Sequence, residues 1–177
     1  MSSSDSLHTI ALFVANKPGV LLRITLVFSR RGFNIESLVV SSAFDGHYSR
    51  MTITAKGSDD TLDQIVKQLA KLVDVIDAHV HDGGNTVERE LALIKLAITV
   101  NTRHDIMQLV SHFNAKTLHL SPEMILIEVS GDSSHVDMVV DTLSDYPVIE
   151  LVRSGKMVMG KTAEKAATGN KRLHARK

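Results

Sequence analysis

Cysteine is absent from the 177 residues, which excludes disulfides, Cys-ligated zinc, iron–sulfur clusters and thiol nucleophiles in one step and suits a reducing cytosol. No stretch approaches the ~18 consecutive apolar residues of a membrane-spanning helix. Met1–Ser6 has neither the basic segment nor the apolar run of a signal peptide, so the expectation is a cytoplasmic chain with no membrane partner. Net charge is missing too: Lys plus Arg matches Asp plus Glu at 20 each, and no overall field gathers nucleic acid. Aromatic residues are only 4% of the chain, few for a surface that stacks bases. What remains is 44% hydrophobic and 23% charged, an ordinary soluble composition, long enough for one medium domain or two small ones. The charge balance hides an asymmetry, because Lys161–Lys177 carries six Lys or Arg against Glu164 alone, leaving a mildly acidic body.

Periodicity supplies the elements. Leu7–Val14 mixes β-branched and apolar residues and stops at Ala15-Asn16, as a buried strand does. Val20, Ile24, Val27, Phe28 and Arg31 then follow helical spacing, with Pro18 suited to the first turn, Arg30 and Arg31 to the last, and Gly32 to the left-handed position beyond it. Phe33–Ser42 and Tyr48–Ala55 read as strands around an Asp45-Gly46 turn. Ser58–Asp60 offers an N-cap for a second helix, striped by Leu62, Ile65, Val66, Leu69 and Val73, before a closing strand over Val75–Val80. The order is βαββαβ, and it recurs. Leu91–Val100 is a strand, Thr102–Asp105 resembles a capping box, and Ile106, Leu109, Val110 and Phe113 make a helical stripe. Thr117–Leu120 and Ile125–Val129 are strands, Val136, Val139, Val140 and Leu143 form a fourth helix, and Val148–Val152 closes the unit.

The repeat has a residue-level signature: Gly57, Leu62, Asp63, Ile65, Val66, Leu69 and Val75, shifted by 74 positions, land on Gly131, Val136, Asp137, Val139, Val140, Leu143 and Ile149. The expected fold class is α+β, two tandem ferredoxin-like βαββαβ domains, each an antiparallel sheet with two helices on one face. The expected boundaries are a disordered N-terminus over 1–6, a first domain over 7–81, a linker over 82–88, a second domain over 89–160, and a basic flexible tail over 161–177.

The first strand-to-helix junction is the candidate site. Asn16, Pro18, Gly19, Val20 and Leu21 lead into a helix N-terminus, which offers unpaired N–H groups and partial positive charge to a carboxylate. Gly19 permits close backbone approach, and Asn34, heading the second strand beside Ile35, has a side-chain carbonyl that accepts from an ammonium group. The expectation is that these two segments converge on an amino-acid pocket with no catalytic residue. The same residues also read as an ordinary turn and cap, and Val20, Leu21 and Ile35 serve equally as a pocket wall or as core.

Longer strings carry a family resemblance. N-K-P-G-V-L-x-R at Asn16–Arg23, F-S-R-R-G-F-N-I-E-S-L at Phe28–Leu38 and S-R-M-T-I at Ser49–Ile53 resemble the ACT domain of the small regulatory subunit of acetohydroxyacid synthase (acetolactate synthase). V-E-R-E-L-A-L-I-K at Val87–Lys95 and R-S-G at Arg153–Gly155 are similar to that family too, whereas Leu26, where the family often has glycine, and Thr117–His119 depart from it. The resemblance implies a non-catalytic subunit that activates a thiamine-dependent catalytic subunit and confers feedback inhibition by valine or a related branched-chain amino acid. It implies a homodimer through ACT domains, an effector loop at Asn16–Leu21, and Asn34-Ile35 on the facing strand of a partner domain. It implies no cofactor of the chain's own, with thiamine diphosphate, Mg and FAD on the catalytic partner. The second unit has no N-x-P-G counterpart, so only the first should bind. The alternative is a stand-alone ACT sensor or scaffold serving another enzyme or regulator.

Other constellations carry less. Gly19-Val20-x-x-Arg23 also resembles the phosphate loop of acylphosphatase, but Asn34 follows Arg23 too soon and the loop has too few glycines to cradle phosphate. His79 and His81 share a strand face, as metal ligands do, although only Asp77 and Asp82 stand near them, and no metal is expected. An RNA-recognition domain shares the βαββαβ order, yet only Phe44 and Tyr48 lie near the middle strands. Glu88-Arg89-Glu90 reads either as a contact with the catalytic partner or as an ion-pair cluster.

Overall fold

Alternation of apolar and small residues sets the first strand. In the computed structural model, which describes residues 6–81 and 83–161, β1 (Ser6–Ala15) buries Ile10, Leu12 and Val14 on one face. The chain continues through α1 (Val20–Ser29), β2 (Ile35–Ser42), β3 (Tyr48–Gly57), α2 (Asp59–Leu69) and β4 (Val75–Val80). All strand pairings are antiparallel in the order β2-β3-β1-β4. Register sets Ile10 against Ile53 and Leu12 against Met51, so the buried residues of the central strands share a face. Val20, Ile24 and Phe28 of α1 and Leu62, Ile65 and Leu69 of α2 close the same core.

A 3₁₀ turn over Gly83–Asn85 leads to the second unit: β5 (Thr86–Ala97), α3 (Arg103–His112), β6 (Lys116–Leu120), β7 (Met124–Gly131), α4 (Ser133–Leu143), β8 (Val148–Arg153) and β9 (Met157–Gly160). The sheet order is β6-β7-β5-β8, with β9 also on β5. Ile94, Leu96, Ile125 and Ile127 meet Ile106, Val110, Val136, Val139 and Leu143 in a separate core. The described chain therefore divides into two compact units, one holding the residues up to Val87 and those from Val158 on, the other Glu88–Met157. Each has the ferredoxin-like α+β arrangement.

Several local expectations are corrected. Pro18 precedes the first turn of α1, because Gly19 at φ 83° is the N-cap. At the other end Gly32 takes the left-handed position: its N–H donates to Ser29 O (3.1 Å), and Phe33 N–H to Phe28 O (3.1 Å), the paired bonds of a Schellman closure. Val73 lies beyond α2 and is 93% exposed, so it is no part of the core stripe. The Thr102 hydroxyl does not cap α3; it and Thr99 exchange bonds, Thr99 N–H to Thr102 Oγ1 (3.0 Å) and Thr102 N–H to Thr99 Oγ1 (3.3 Å). From Thr86 onward the expected linker is β5, whose alternation the polar Thr86–Glu90 run conceals, while Asp82 lies outside the described residues. Ser6 belongs to β1, and the rest of 1–6, like the tail beyond Lys161, is outside the described residues. No element was expected at β9, a short strand of alternating Met, Val and Met closed by Gly160.

Candidate functional site

The junction after β1 is built from main-chain bonds. Ala15 N–H donates to Asp74 O (2.8 Å), Asn16 N–H to His47 O (2.8 Å), and Lys17 N–H back to Ala15 O (3.0 Å). The Asn16 side chain donates from Nδ2 to Gly46 O at 3.0 Å. Gly19 then opens α1 without any side-chain cap, and the first turn carries no acidic residue. The N–H groups of Gly19, Leu21 and Leu22 find no acceptor among the described residues, so donors and the positive end of the helix dipole face outward together. Arg23 closes the side of this cradle. Its Nη2 pairs with Asp74 Oδ2 at 2.5 Å, and a Cβ on Gly19 would stand 3.5 Å from its Nη1. Donors and a helix N-terminus in this arrangement have the chemistry of an anion seat.

The corresponding turn of the second unit differs chemically. Its two threonine hydroxyls satisfy the loop, and Asp105 places a negative charge in the first turn of α3.

The expected residues are not all brought together. Pro18 and Gly19 are exposed in the loop, and Leu21 is 41% exposed beside it. Val20 is 3% exposed and sits in the core, so it supplies no pocket wall. Asn34 and Ile35 stand at the opposite end of the sheet, which overturns the expectation that the two segments converge within one chain. The reason is topological. β1 and β2 are both antiparallel to β3 and hence parallel to each other, so the start of β2 is level with the start of β1: Ile35 pairs with Ala55, itself opposite His8, while Ala15 lies opposite Tyr48. Seven residues separate the levels of Ile35 and Ser42, roughly 23 Å along the strand. At its own end Asn34 donates from Nδ2 to Glu36 Oε1 (3.3 Å), and its side-chain oxygen has no donor among the described residues. Ile35 is half-buried against the core.

Two distant turns complete the loop: the β2–β3 turn through Gly46 and His47, and the α2–β4 turn through Asp74, of which the residue pattern singles out only Gly46. The Asp45-Gly46 turn itself was legible, with Gly46 at φ 69°, but not its return to Asn16. The other constellations resolve differently. His79 bonds Asp77 (2.8 Å) and lies edge-on to His81 with ring centroids 5.0 Å apart; no group of three metal-ligating side chains occurs among the described residues. On β1 and β3, Phe13 and Tyr48 stack at 5.1 Å beneath Arg50, a pair of which the sequence reading found only Tyr48.

Glu88-Arg89-Glu90 contributes to an internal ion cluster. Glu90, 5% exposed, accepts from Arg153 Nε (2.7 Å), Arg153 Nη2 (3.0 Å) and Ser133 Oγ (2.9 Å). Arg153 also reaches Asp137 at 2.7 Å, and Lys156 reaches Glu88 at 3.4 Å. The Arg153 bonds hold the Glu90 carboxyl below the usual range despite its burial, and Glu90 in turn raises the guanidinium.

Two ferredoxin-like units, the first opening on an uncapped, glycine-started helix, define a chain of the ACT class. Residues 10–77 match the family described as AHAS small subunit-like ACT domain, and residues 89–162 match that of the small subunit of acetolactate synthase. The chain is 42% identical over 152 residues to a probable acetolactate synthase small subunit of Archaeoglobus fulgidus, covering 86% of this chain and 95% of that one. It is 41% identical over 155 residues to the acetolactate synthase small subunit of Mycolicibacterium smegmatis, covering 88% and 91%. The crystal structure of the acetolactate synthase small subunit from Thermotoga maritima superposes with a TM-score of 0.80 at 38% identity, over 89% of this chain and 98% of that one. The chain belongs to the acetolactate synthase small-subunit family. No helix among the described residues is long and apolar enough to cross a membrane.

Proposed function

We propose that this chain is the regulatory subunit of an acetolactate synthase, activating a thiamine-dependent catalytic subunit and making it responsive to valine or a related branched-chain amino acid. The chain does no chemistry; thiamine diphosphate, Mg and FAD belong to the catalytic partner. The effector sits between the first domains of two copies. Its carboxylate takes the N–H groups of Gly19, Leu21 and Leu22 in one copy, its ammonium the side-chain oxygen of Asn34 in the other, and its apolar side chain rests near Leu21 and Ile35.

The observation that carries this reading is the placement of the two half-sites at opposite ends of the sheet, with Asn34-Ile35 at the start of the edge strand β2 and Gly19 beyond the end of the inner strand β1. β2 has β3 on one side only. Antiparallel pairing of β2 with its copy about a twofold axis sets the start of each strand beside the end of the other. Asn34 of one copy thereby approaches the loop end of its partner, and two equivalent sites form. Val40, 45% exposed on this edge, supplies apolar contact. Occupancy then biases the pose of the assembly and lowers catalytic output by population shift.

Titration calorimetry with valine, leucine and isoleucine, together with reconstitution on a cognate catalytic subunit, tests the proposal. Asn34→Ala removes one charge-assisted hydrogen bond and is expected to weaken valine binding and inhibition about tenfold or more, with activation of the catalytic subunit retained. Absence of binding by the unaltered chain at millimolar ligand would overturn the effector reading.

A further inference from the structure

We infer that Glu36 supplies the negative charge that holds the effector's ammonium group beside Asn34; the inference deepens the effector reading above and rests on it. Asn34 Nδ2 donates to Glu36 Oε1 at 3.3 Å. A carboxylate only accepts, so it fixes which way the Asn34 amide points: the NH2 group toward Glu36, the carbonyl oxygen away from it. That oxygen is left to take a donor, and a cationic donor gains most beside a carboxylate. No Lys, Arg or His among the described residues pairs with Glu36, and the side chain is exposed. An acceptor and an uncompensated charge therefore stand one hydrogen bond apart.

The backbone is shaped to hold this pair. Register passes from Ile35 opposite Ala55 to Ser37 opposite Thr54, which leaves Glu36 as the extra residue of a β-bulge. A bulge re-aims a side chain, and here it follows Asn34 by two positions. Each flank is anchored. On one side the Phe33 ring lies on Gly57, and its N–H donates to Phe28 O (3.1 Å). On the other, Ser37 Oγ donates to Thr54 Oγ1 at 2.9 Å, and Thr54 is 2% exposed. The pair also lies on the edge strand where the second copy is placed above. A zwitterion spanning the two copies then finds donors for its carboxylate at Gly19 and acceptors for its ammonium at Asn34 and Glu36.

A charge series reads this role. Glu36→Gln keeps an acceptor for Asn34 and removes the charge, whereas Glu36→Lys reverses it. Calorimetry on the full chain is expected to show valine binding weakened about threefold to tenfold in Glu36→Gln, and about tenfold further in Glu36→Lys. The gap between Glu36→Gln and the unaltered chain should narrow as ionic strength rises to about 1 M, where screening acts within about 3 Å. A merely structural role would not order the variants by charge or respond to salt in this way.

Each titration is run at a chain concentration where sedimentation shows the unaltered chain paired, with unfolding midpoints measured without ligand; the midpoint of Glu36→Gln should stay close to that of the unaltered chain. Equal valine affinity in Glu36→Gln and the unaltered chain, Glu36→Lys no weaker than Glu36→Gln, or a loss untouched by salt would each overturn the inference. So would loss of pairing in Glu36→Gln, which would assign the carboxylate to the contact between copies. Failure of the unaltered chain to bind valine would instead overturn the effector reading, so the two failures are distinct.

Discussion

Glu90 is where one residue controls the most electrostatics. Its carboxylate is buried among Arg153, Ser133 and the nearby Lys156, with Asp137 on the far side of Arg153. Breaking such a pair leaves a charge without its partner, and the cost exceeds what the intact pair contributes. Glu90→Gln keeps the shape, and Asp137 still faces Arg153, so we expect a loss of about 2 kcal/mol at pH 7, read by chemical denaturation. The sign with pH follows from the lowered carboxyl: its stabilisation is complete above the unfolded value of about 4.3 and is lost as pH falls through the lower folded value. The acid limb of the unfolding curve should flatten in Glu90→Gln; an unchanged limb would show that other carboxylates carry it. Sequence spacing showed three charges in a row here but could not distinguish an internal cluster from a partner contact, because Arg153 lies 63 residues away. For Val20 the residue pattern left pocket wall and core open together, because one helical stripe serves either; at 3% exposure the side chain is core.

At the scale of elements, the repeated glycines have a packing cause. Gly57 ends β3 and Gly131 ends β7, and in each unit an aromatic ring lies on the glycine. A Cβ at Gly57 would fall 2.0 Å from Phe33 Cε1, and one at Gly131 2.7 Å from His135 Cδ2. The ring comes from the helix–strand loop in the first unit and from α4 in the second, so the two copies reach one solution by different routes. Gly57→Ala forces the Phe33 ring to move and should cost about 1–3 kcal/mol, the usual range for overpacking. In a Phe33→Ala background the same substitution should cost much less, and simple additivity in a denaturation cycle would refute the ring contact as the cause. The offset of 74 positions carries this equivalence in the sequence itself, because strand ends and helix stripes repeat locally. Strand direction was the part that did not follow. Periodicity identifies β1 and β2 but not that both run the same way across β3, and that fact alone separates Asn16 from Asn34.

For the whole molecule, the separation turns a ligand site into a statement about assembly. If the effector bridges the loop of one copy and Asn34 of another, the factor by which it prefers the paired form is the factor by which it strengthens pairing. Sedimentation at chain concentrations near the dissociation midpoint should therefore show self-association tightened by valine, and more tightly bound amino acids should tighten it further. Val40→Asp offers the complementary perturbation. Position 40 belongs to neither half-site, yet it lies on the exposed edge strand, where a charge opposes edge pairing. The cost of pressing a carboxylate into an apolar contact predicts association weakened about tenfold or more, with apparent valine affinity falling in step. Binding by one chain alone predicts the opposite separation: a monomeric Val40→Asp variant that still binds valine as tightly as the unaltered chain. That outcome would return the site to a single copy and require the Gly19 cradle to hold the ammonium without Asn34, although the helix terminus there presents only donors.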